Sequence, residues 1–381
     1  MLSPASLQTI QRSGYPVLTP TGTDSPPSRE PPTPELPSQL RGTLKMGMPS
    51  LRPLSGGAPT QKVYGPRAPT KTTPADITVG PDDVLKFIDS LPSAAHLRSQ
   101  GIAPFVVFDA DGTLWKDDFP GRFFELAAER GLLKREARPA LSEALRELGL
   151  EPDESGPDLG VNRDAIRYRD AQWNQLESLS PMEYGKGYDR GVKMQVEMLK
   201  GMTPKEVEEL TAELVESEGK PSVFAGIDPI LDAIRAKGYS PLVVTAGLEA
   251  VNGRFARELG FAGDEIRGVR SKVGSDGKYT GELDGVLSSG PGKQYATGQL
   301  MGQLGTPKDA LRKPIAAFGD SSDHGDKWLH GMAHVGFVVE PKPHQAEAAV
   351  KLQKAGFNTR ILDFQRTRDG SPADRYVAQA V

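Results

Sequence analysis

Two aspartates one residue apart, Asp109 and Asp111, stand directly after the apolar run Phe105-Val106-Val107-Phe108 and directly before Gly112-Thr113-Leu114. Four apolar residues that stop at a polar turn describe a buried strand with both acids at its end, and alternate residues of a strand share a face. Carboxylates crowded at such a place repel one another unless a cation lies between them. The pattern is therefore costly without a metal or a chemical use. The use open to it is attack by one carboxylate while the other carries a proton.

Three further groups stand where the chain leaves a strand or enters a helix. Thr245 ends the β-rich run Pro241–Thr245. Lys293 closes Ser289-Gly290-Pro291-Gly292-Lys293, just before a helix expected over Gln294–Leu304. This glycine loop lets backbone approach a ligand, but it lacks the spacing and the following Ser/Thr of a P-loop. Asp320 follows the apolar run Ile315–Phe318 and opens an acidic loop with Asp323 and Asp326. Active groups collect at the carboxyl ends of strands in an open parallel sheet. A nucleophile, a proton carrier, a hydroxyl, a cation and a metal-binding acid make up what phosphoryl transfer through an aspartyl-phosphate needs.

The elements that must position these groups are legible in part. Ile315–Phe318 and Val335–Val339 are continuous apolar runs of the kind found in strands buried on both faces, and they alternate with helical segments. That argues for an α/β core with a parallel sheet. Pro81–Leu91 has helical spacing, and Thr203-Pro204-Lys205-Glu206 is a capping box with proline at the first helical position. A helix from Asp228-Pro229 stops at Gly238, and a small hairpin is expected around Gly277. The helix-rich block 116–220 interrupts the alternation and reads as a helical cap. The core then comprises residues 76–115 and 221–370. Residues 1–75 hold fifteen of the 33 prolines and few apolar runs, and are expected to be a disordered tail.

Composition excludes several classes. The chain has 381 residues, no cysteine and a net charge of −4. Disulfides, thiolate catalysis and cysteine-bound zinc are excluded, and no basic stripe supports nucleic-acid binding. No run has the length of a membrane span, and the N-terminus lacks the order of a signal peptide. A cytoplasmic protein without membrane or nucleic-acid partners is expected; oligomeric state is not readable.

The order Asp-x-Asp-Gly-Thr, Thr, Lys, Gly-Asp resembles the haloacid dehalogenase (HAD) superfamily over roughly residues 80–365. It looks closest to the phosphoserine phosphatase-like branch, whose helical cap follows the first motif. Leu199–Pro204, Val223–Ile227 and Gly281–Gly285 also resemble linking segments of that branch. The resemblance implies a Rossmann-like core and a Mg2+-dependent phosphatase. It implies Asp109 as nucleophile and Asp111 as proton carrier. Thr245 and Lys293 would stabilise the phosphoryl group. The metal would be held by Asp109, Asp320 and the backbone carbonyl of Asp111. The acid that supports Asp320 falls to Asp323 or Asp326, with Asp323 favoured, because His324 occupies the usual position. Asp118 matches the acid that grips the substrate amine. Phosphoserine thus stands beside phosphocholine, phosphoethanolamine, histidinol phosphate and other small phosphorylated metabolites. The rival readings are a phosphotransferase using the same aspartate and a non-catalytic binding protein that keeps the fold.

Overall fold

The computed structural model describes residues 72–99, 102–153, 155–178, 181–219, 222–306 and 313–366. The tail expected over 1–75 lies outside them except for residues 72–75. There Thr73 and Asp76 bond reciprocally around the single 3-10 turn Pro74–Ile77, so regular structure begins just before the expected boundary.

In chain order the strands are β1 (Thr78–Val79), β2 (Phe105–Phe108), β3 (Ser240–Leu248), β4 (Ile266–Val269), β5 (Ser271–Val273), β6 (Tyr279–Leu283), β7 (Ala316–Gly319), β8 (Val335–Val339) and β9 (Thr359–Leu362). The helices are α1 (Pro81–Ser90), α2 (Ala94–Ser99), α3 (Phe119–Glu129), α4 (Arg138–Glu147), α5 (Pro157–Ser178), α6 (Pro181–Met198), α7 (Pro204–Glu218), α8 (Ile227–Ala236), α9 (Glu249–Glu258), α10 (Pro291–Gln303), α11 (Lys327–Met332) and α12 (Pro343–Lys354). Seven strands form one parallel sheet in the order β1-β9-β8-β7-β2-β3-β4, and β5 and β6 pair as the separate hairpin. β2 lies between β3, which follows it in the chain, and β7, which arrives much later. The strand order therefore reverses at β2, where ligands bind in open α/β sheets.

All four residues of β2 are buried, as its apolar run requires. Phe105 and Val107 enter a cluster with Leu242, Val244, Leu300 and Ala317. On the other face Phe108 stacks on Phe318 with ring centroids 4.6 Å apart, and Phe318 on Phe337 at 4.7 Å. These rings sit directly opposite one another in the strand register, so the stack fixes β2, β7 and β8 side by side. A rigid base under the strand ends results.

The helices α3 to α7 fill the interval between β2 and α8, and α3, α4, α5 and α6 pack on one another. Thr203 caps α7 through reciprocal bonds with Glu206, as its sequence demands. Val192 and Val196 of α6 pack against Ala246 and Val269, which seats the cap on the core. Among the described residues no helix is long and apolar enough to cross a membrane.

Four strands and a helix start differ from the sequence reading, β1 being only two residues that no apolar run marks. β3 continues past Thr245 to Leu248 through a register shift after Val244. β4 and β9 are four residues each and carry an arginine, too short and too mixed to register as buried runs. α10 begins at Pro291, two residues before Lys293, because proline at the first helical position is already set for a helix.

Candidate active site

The ladder that holds β2 to β7 continues one residue past the strand. The Asp109 amide donates to the Phe318 carbonyl at 2.9 Å, which brings Asp109 beside the turn that carries Asp320. The chain then folds back, with the amides of Thr113 and Leu114 donating to the Ala110 carbonyl. Gly112 makes this turn with φ of 73°, and a side chain there would come within 2.7 Å of Asp320. Glycine is required on both counts.

Lys293, in the first turn of α10, is 2% exposed. Its ammonium lies 2.8 Å from Asp109 and 2.5 Å from Asp326. Burial alone would lower its pKa, but the two carboxylates outweigh that and keep it charged. Asp326 is equally buried and also accepts the Ser321 amide at 3.2 Å. Burial works to raise its pKa, yet Lys293 and His330 hold it below the ordinary carboxylate value. Asp326, rather than the Asp323 favoured from the sequence, is thus the acid that meets Lys293. Asp323 lines the pocket instead, 4.0 Å from His344. The physical reason is the turn that follows Gly319. It places Asp326 against Gly319, where a side chain would stand 2.4 Å from the Asp326 Cβ.

Carboxylate oxygens of Asp109, Asp320 and Asp326 lie within 4.8 Å of one another. Burial, followed by the charges of Asp326 and Asp109, raises the Asp320 pKa well above its ordinary value. Burial and Asp326 raise Asp109 to about 6 despite Lys293. One ammonium does not neutralise three acids, and the donors are all hard oxygens. The cluster therefore fits a small hard cation such as Mg2+. Asp326 spends one oxygen on Lys293 and the other on the Ser321 amide, whereas Asp109 meets Lys293 through Oδ1 alone, so Asp109 and Asp320 are the side chains with an oxygen left to ligate.

Asp111 projects toward the cap. Its Oδ1 accepts the Trp115 indole N–H at 2.8 Å and the Phe119 amide at 3.4 Å. Its Oδ2 accepts Asn252 Nδ2 at 2.6 Å. Burial first, then the Asp118 charge, pushes its pKa up to about 8 against these donors. Thr245 is buried, and its Oγ1 accepts the Gly247 amide at 3.0 Å and Asn252 Nδ2 at 3.2 Å.

A cavity of about 860 Å³ opens between these residues and the cap. It contains Asp109, Asp111, Thr245, Lys293 and Asp320, and its outer wall includes Asp118, Glu125, Tyr168, Arg169, Trp173 and Tyr188. Asp118 caps α3, accepting the Gly121 amide at 3.1 Å, and stays exposed to the cavity. The cleft walls shield it from bulk water and raise its pKa, against Gly121 and the Arg169 charge. Arg169 forms an ion pair with Glu125.

Every site residue expected from the sequence lines this one cavity. One contributor was missed, and another was ranked below its neighbour. Asp326 was set second to Asp323, and only the fold distinguishes them. Asn252 lies inside an ordinary helix and belongs to no motif. The one signal was a polar residue on an otherwise apolar helix face.

The sequence model of the haloacid dehalogenase-like hydrolases matches residues 106–323. A phosphoserine phosphatase of Wolinella succinogenes is 24% identical over 160 residues, covering 42% of this chain and 71% of that protein. A Bordetella pertussis Tohama I protein of unknown function superposes with a TM-score of 0.50 at 19% identity, over 69% of this chain and 99% of that one. A substrate-bound phosphoserine phosphatase gives a TM-score of 0.39 at 17% identity, over 69% and 94% of the two chains. The matched segment runs from the strand that presents Asp109 through the loop that presents Asp320. With more than half its length so matched, the chain belongs to the haloacid dehalogenase-like hydrolase family and is phosphoserine phosphatase-like in sequence.

Proposed function

We propose that this phosphoric monoester hydrolase passes the phosphoryl group through Asp109, with Asp111 as its proton carrier and Mg2+ as its cofactor. The observation that carries the reading is the fully buried Lys293 ammonium, fixed 2.8 Å from a carboxylate at the end of the central strand. A preorganised cation there stabilises charge gathering on a transferring phosphoryl group and needs no reorganisation to do so.

An Asp109 carboxylate oxygen bonds to phosphorus, and the bond from phosphorus to the ester oxygen breaks. Asp111 gives its proton to the departing alkoxide. A pKa of about 8 keeps that proton in place at neutral pH, as a general acid requires. Water then attacks the phosphorus of the aspartyl-phosphate, giving a proton back to Asp111. Inorganic phosphate leaves and Asp109 is restored. Thr245 donates its hydroxyl hydrogen to a phosphoryl oxygen throughout. Asp109, Asp320 and the Asp111 backbone carbonyl would hold Mg2+, which offsets the phosphate charge as the carboxylate approaches.

The substrate is a small phosphomonoester, and the cavity wall favours one that carries an amine. Asp118 supplies a carboxylate there that no ion pair among the described residues takes up, and Tyr168, Trp173 and Tyr188 supply aromatic surface. Arg169 is engaged by Glu125, which weakens the case for a carboxylate such as that of phosphoserine. Phosphate release from a panel of phosphorylated amines, amino acids and alcohols, with and without Mg2+, tests this reading. Equal turnover of amine-free esters would refute the amine preference. No release from any of them would refute the hydrolase.

Two outcomes follow at individual residues. Asp111→Asn is expected to slow alkyl phosphates by about 10²–10⁴-fold. An aryl phosphate, whose leaving group needs no proton, should lose much less; steady-state rates on the two esters check this. The second outcome concerns stability. Mg2+ in large excess is expected to add about 2.7 kcal/mol, a rise of roughly 5–10 °C in Tm. The rise should vanish in Asp320→Asn. A carboxylate with a raised pKa costs stability as pH climbs through that pKa, and a metal can claim it only once the proton has left. Asp109 at about 6 therefore makes the Mg2+ effect larger at about pH 8 than at about pH 5. Melting curves at both pH values measure it, and a pH-independent effect would count against the ligand assignment.

A further inference from the structure

Asn252 is fully buried in the first turn of α9, the helix that follows β3 directly. Among the described residues it makes a shorter hydrogen bond to Asp111 than Trp115 does, 2.6 Å against 2.8 Å. Its Nδ2 donates to Asp111 Oδ2 at 2.6 Å and to Thr245 Oγ1 at 3.2 Å, which uses both hydrogens of the amide. Its Oδ1 is buried without a hydrogen-bond partner. The reverse orientation would turn both Nδ2 hydrogens away from Asp111 and Thr245 and leave two buried donors without these acceptors. Leaving one carbonyl oxygen unpaired costs less.

The consequence is clearest in a count of lone pairs. A carboxyl group offers about four acceptor sites, two on each oxygen. On Asp111 the Oδ1 sites face Trp115 and the Phe119 amide. One Oδ2 site faces Asn252, so a single site on Oδ2 remains for the transferable proton. Thr245 obeys the same count. Its hydroxyl oxygen has two lone pairs, one facing the Gly247 amide and the other facing Asn252. The hydroxyl hydrogen can then only be donated outward. Gly247 leaves room for the arrangement, since a side chain there would come within 2.4 Å of Asn252 Nδ2 and 3.0 Å of Asp111 Oδ2.

We propose that Asn252 is the positioning residue that aims two protons at once: the one Asp111 transfers to the leaving group and the one Thr245 donates to the phosphoryl group. It touches neither substrate nor metal, and acts through the two residues that do. This inference rests on the hydrolase reading, and it assigns to a helix residue outside the family-like motifs a role in the direction of both donors.

The test uses Asn252→Leu, which keeps the volume and removes both donors, in the full chain with Mg2+. An aryl and an alkyl phosphate are compared. With the alkyl ester, kcat is expected to fall about 100-fold or more, because both the acid and the hydroxyl lose their direction. With the aryl ester, which needs the hydroxyl but not the acid, it is expected to fall about 10-fold. KM should change little for either. In the double variant with Asp111→Asn, the alkyl defect should be far less than the product of the two single defects, since both act on one proton. If Asn252→Leu does not fold, Asn252→Ser carries the same readout, because serine is too short to reach both acceptors. An unchanged ratio of alkyl to aryl rates in a folded variant would overturn the inference while leaving the hydrolase reading intact. A uniform loss on both esters, additive with Asp111→Asn, would reduce Asn252 to a structural role and overturn it too. A wild type with no phosphatase activity would overturn both readings, so the two failures are distinct.

Discussion

Asp109→Asn is expected to lower phosphate release by about 10⁴-fold or more, equivalent to about 5.5 kcal/mol of barrier. The amide oxygen has nearly the shape of the carboxylate oxygen it replaces but is a poor nucleophile, so no covalent intermediate forms. The fold should survive. Asp326 still neutralises Lys293 at 2.5 Å, so the buried ammonium keeps a partner. The Asp109 charge is itself unfavourable in the metal-free site, where burial and Asp326 lift its pKa to about 6. Removing that charge should therefore leave Tm unchanged or slightly higher without metal. Loss of activity without loss of stability separates a reacting group from a structural one. Rates on an aryl phosphate together with a melting curve decide it, and substantial residual turnover would remove Asp109 from the nucleophile's place.

Lys293→Met should behave in the opposite way, losing stability as well as rate. Methionine matches the length of the lysine stem but leaves Asp109 and Asp326 buried beside each other, both close to Asp320. Breaking a buried pair by removing one partner costs about 3–5 kcal/mol. For a folded part of this size that is a fall in Tm of roughly 10 °C. The rate should fall by about 10²–10³-fold for want of the fixed cation. Lowering the pH should recover part of the stability, because the stranded carboxylates can take up protons. It should not recover the rate. A folded Lys293→Met protein with near-normal turnover would show that the ammonium is structural, and the proposed charge stabilisation would have to come from elsewhere. Lys293→Arg is not a rescue, since the guanidinium is a planar fork and this site is closed around a point charge.

The sequence carried the site better than it carried the sheet. Asp109, Asp111, Thr245, Lys293 and Asp320 are each marked by a strand end or a glycine loop, and such local signals survive without knowledge of the fold. The second acid after Asp320 does not have that advantage. Asp323 and Asp326 are three residues apart on one loop, and only the close passage of Asp326 over Gly319 selects it. Asn252 is invisible for a similar reason. Its position comes from β3 carrying α9 past Thr245 and from β2 delivering Asp111 alongside, the latter a contact across 141 residues of chain. Short strands such as β4 and β9 are set by their neighbours in the sheet rather than by their own four residues. Burial on both faces made β2, β7 and β8 readable, because a parallel sheet covered by helices leaves an unbroken apolar run.

The placement of β2 between β3 and β7 has a consequence for how the protein is made. β2 ends at residue 108, and its neighbour β7 begins at residue 316. At a synthesis speed of about 5–20 residues per second, β2 waits roughly 10–40 s for that edge partner. Parallel pairing over such sequence distances gives a high contact order and slow folding. Until the segment from Lys293 to β7 leaves the ribosome, the first motif is an apolar strand with an open side and has no lysine to neutralise its acids. A chain cut short anywhere before β7 would thus be aggregation-prone and chemically inert, however intact its opening motif.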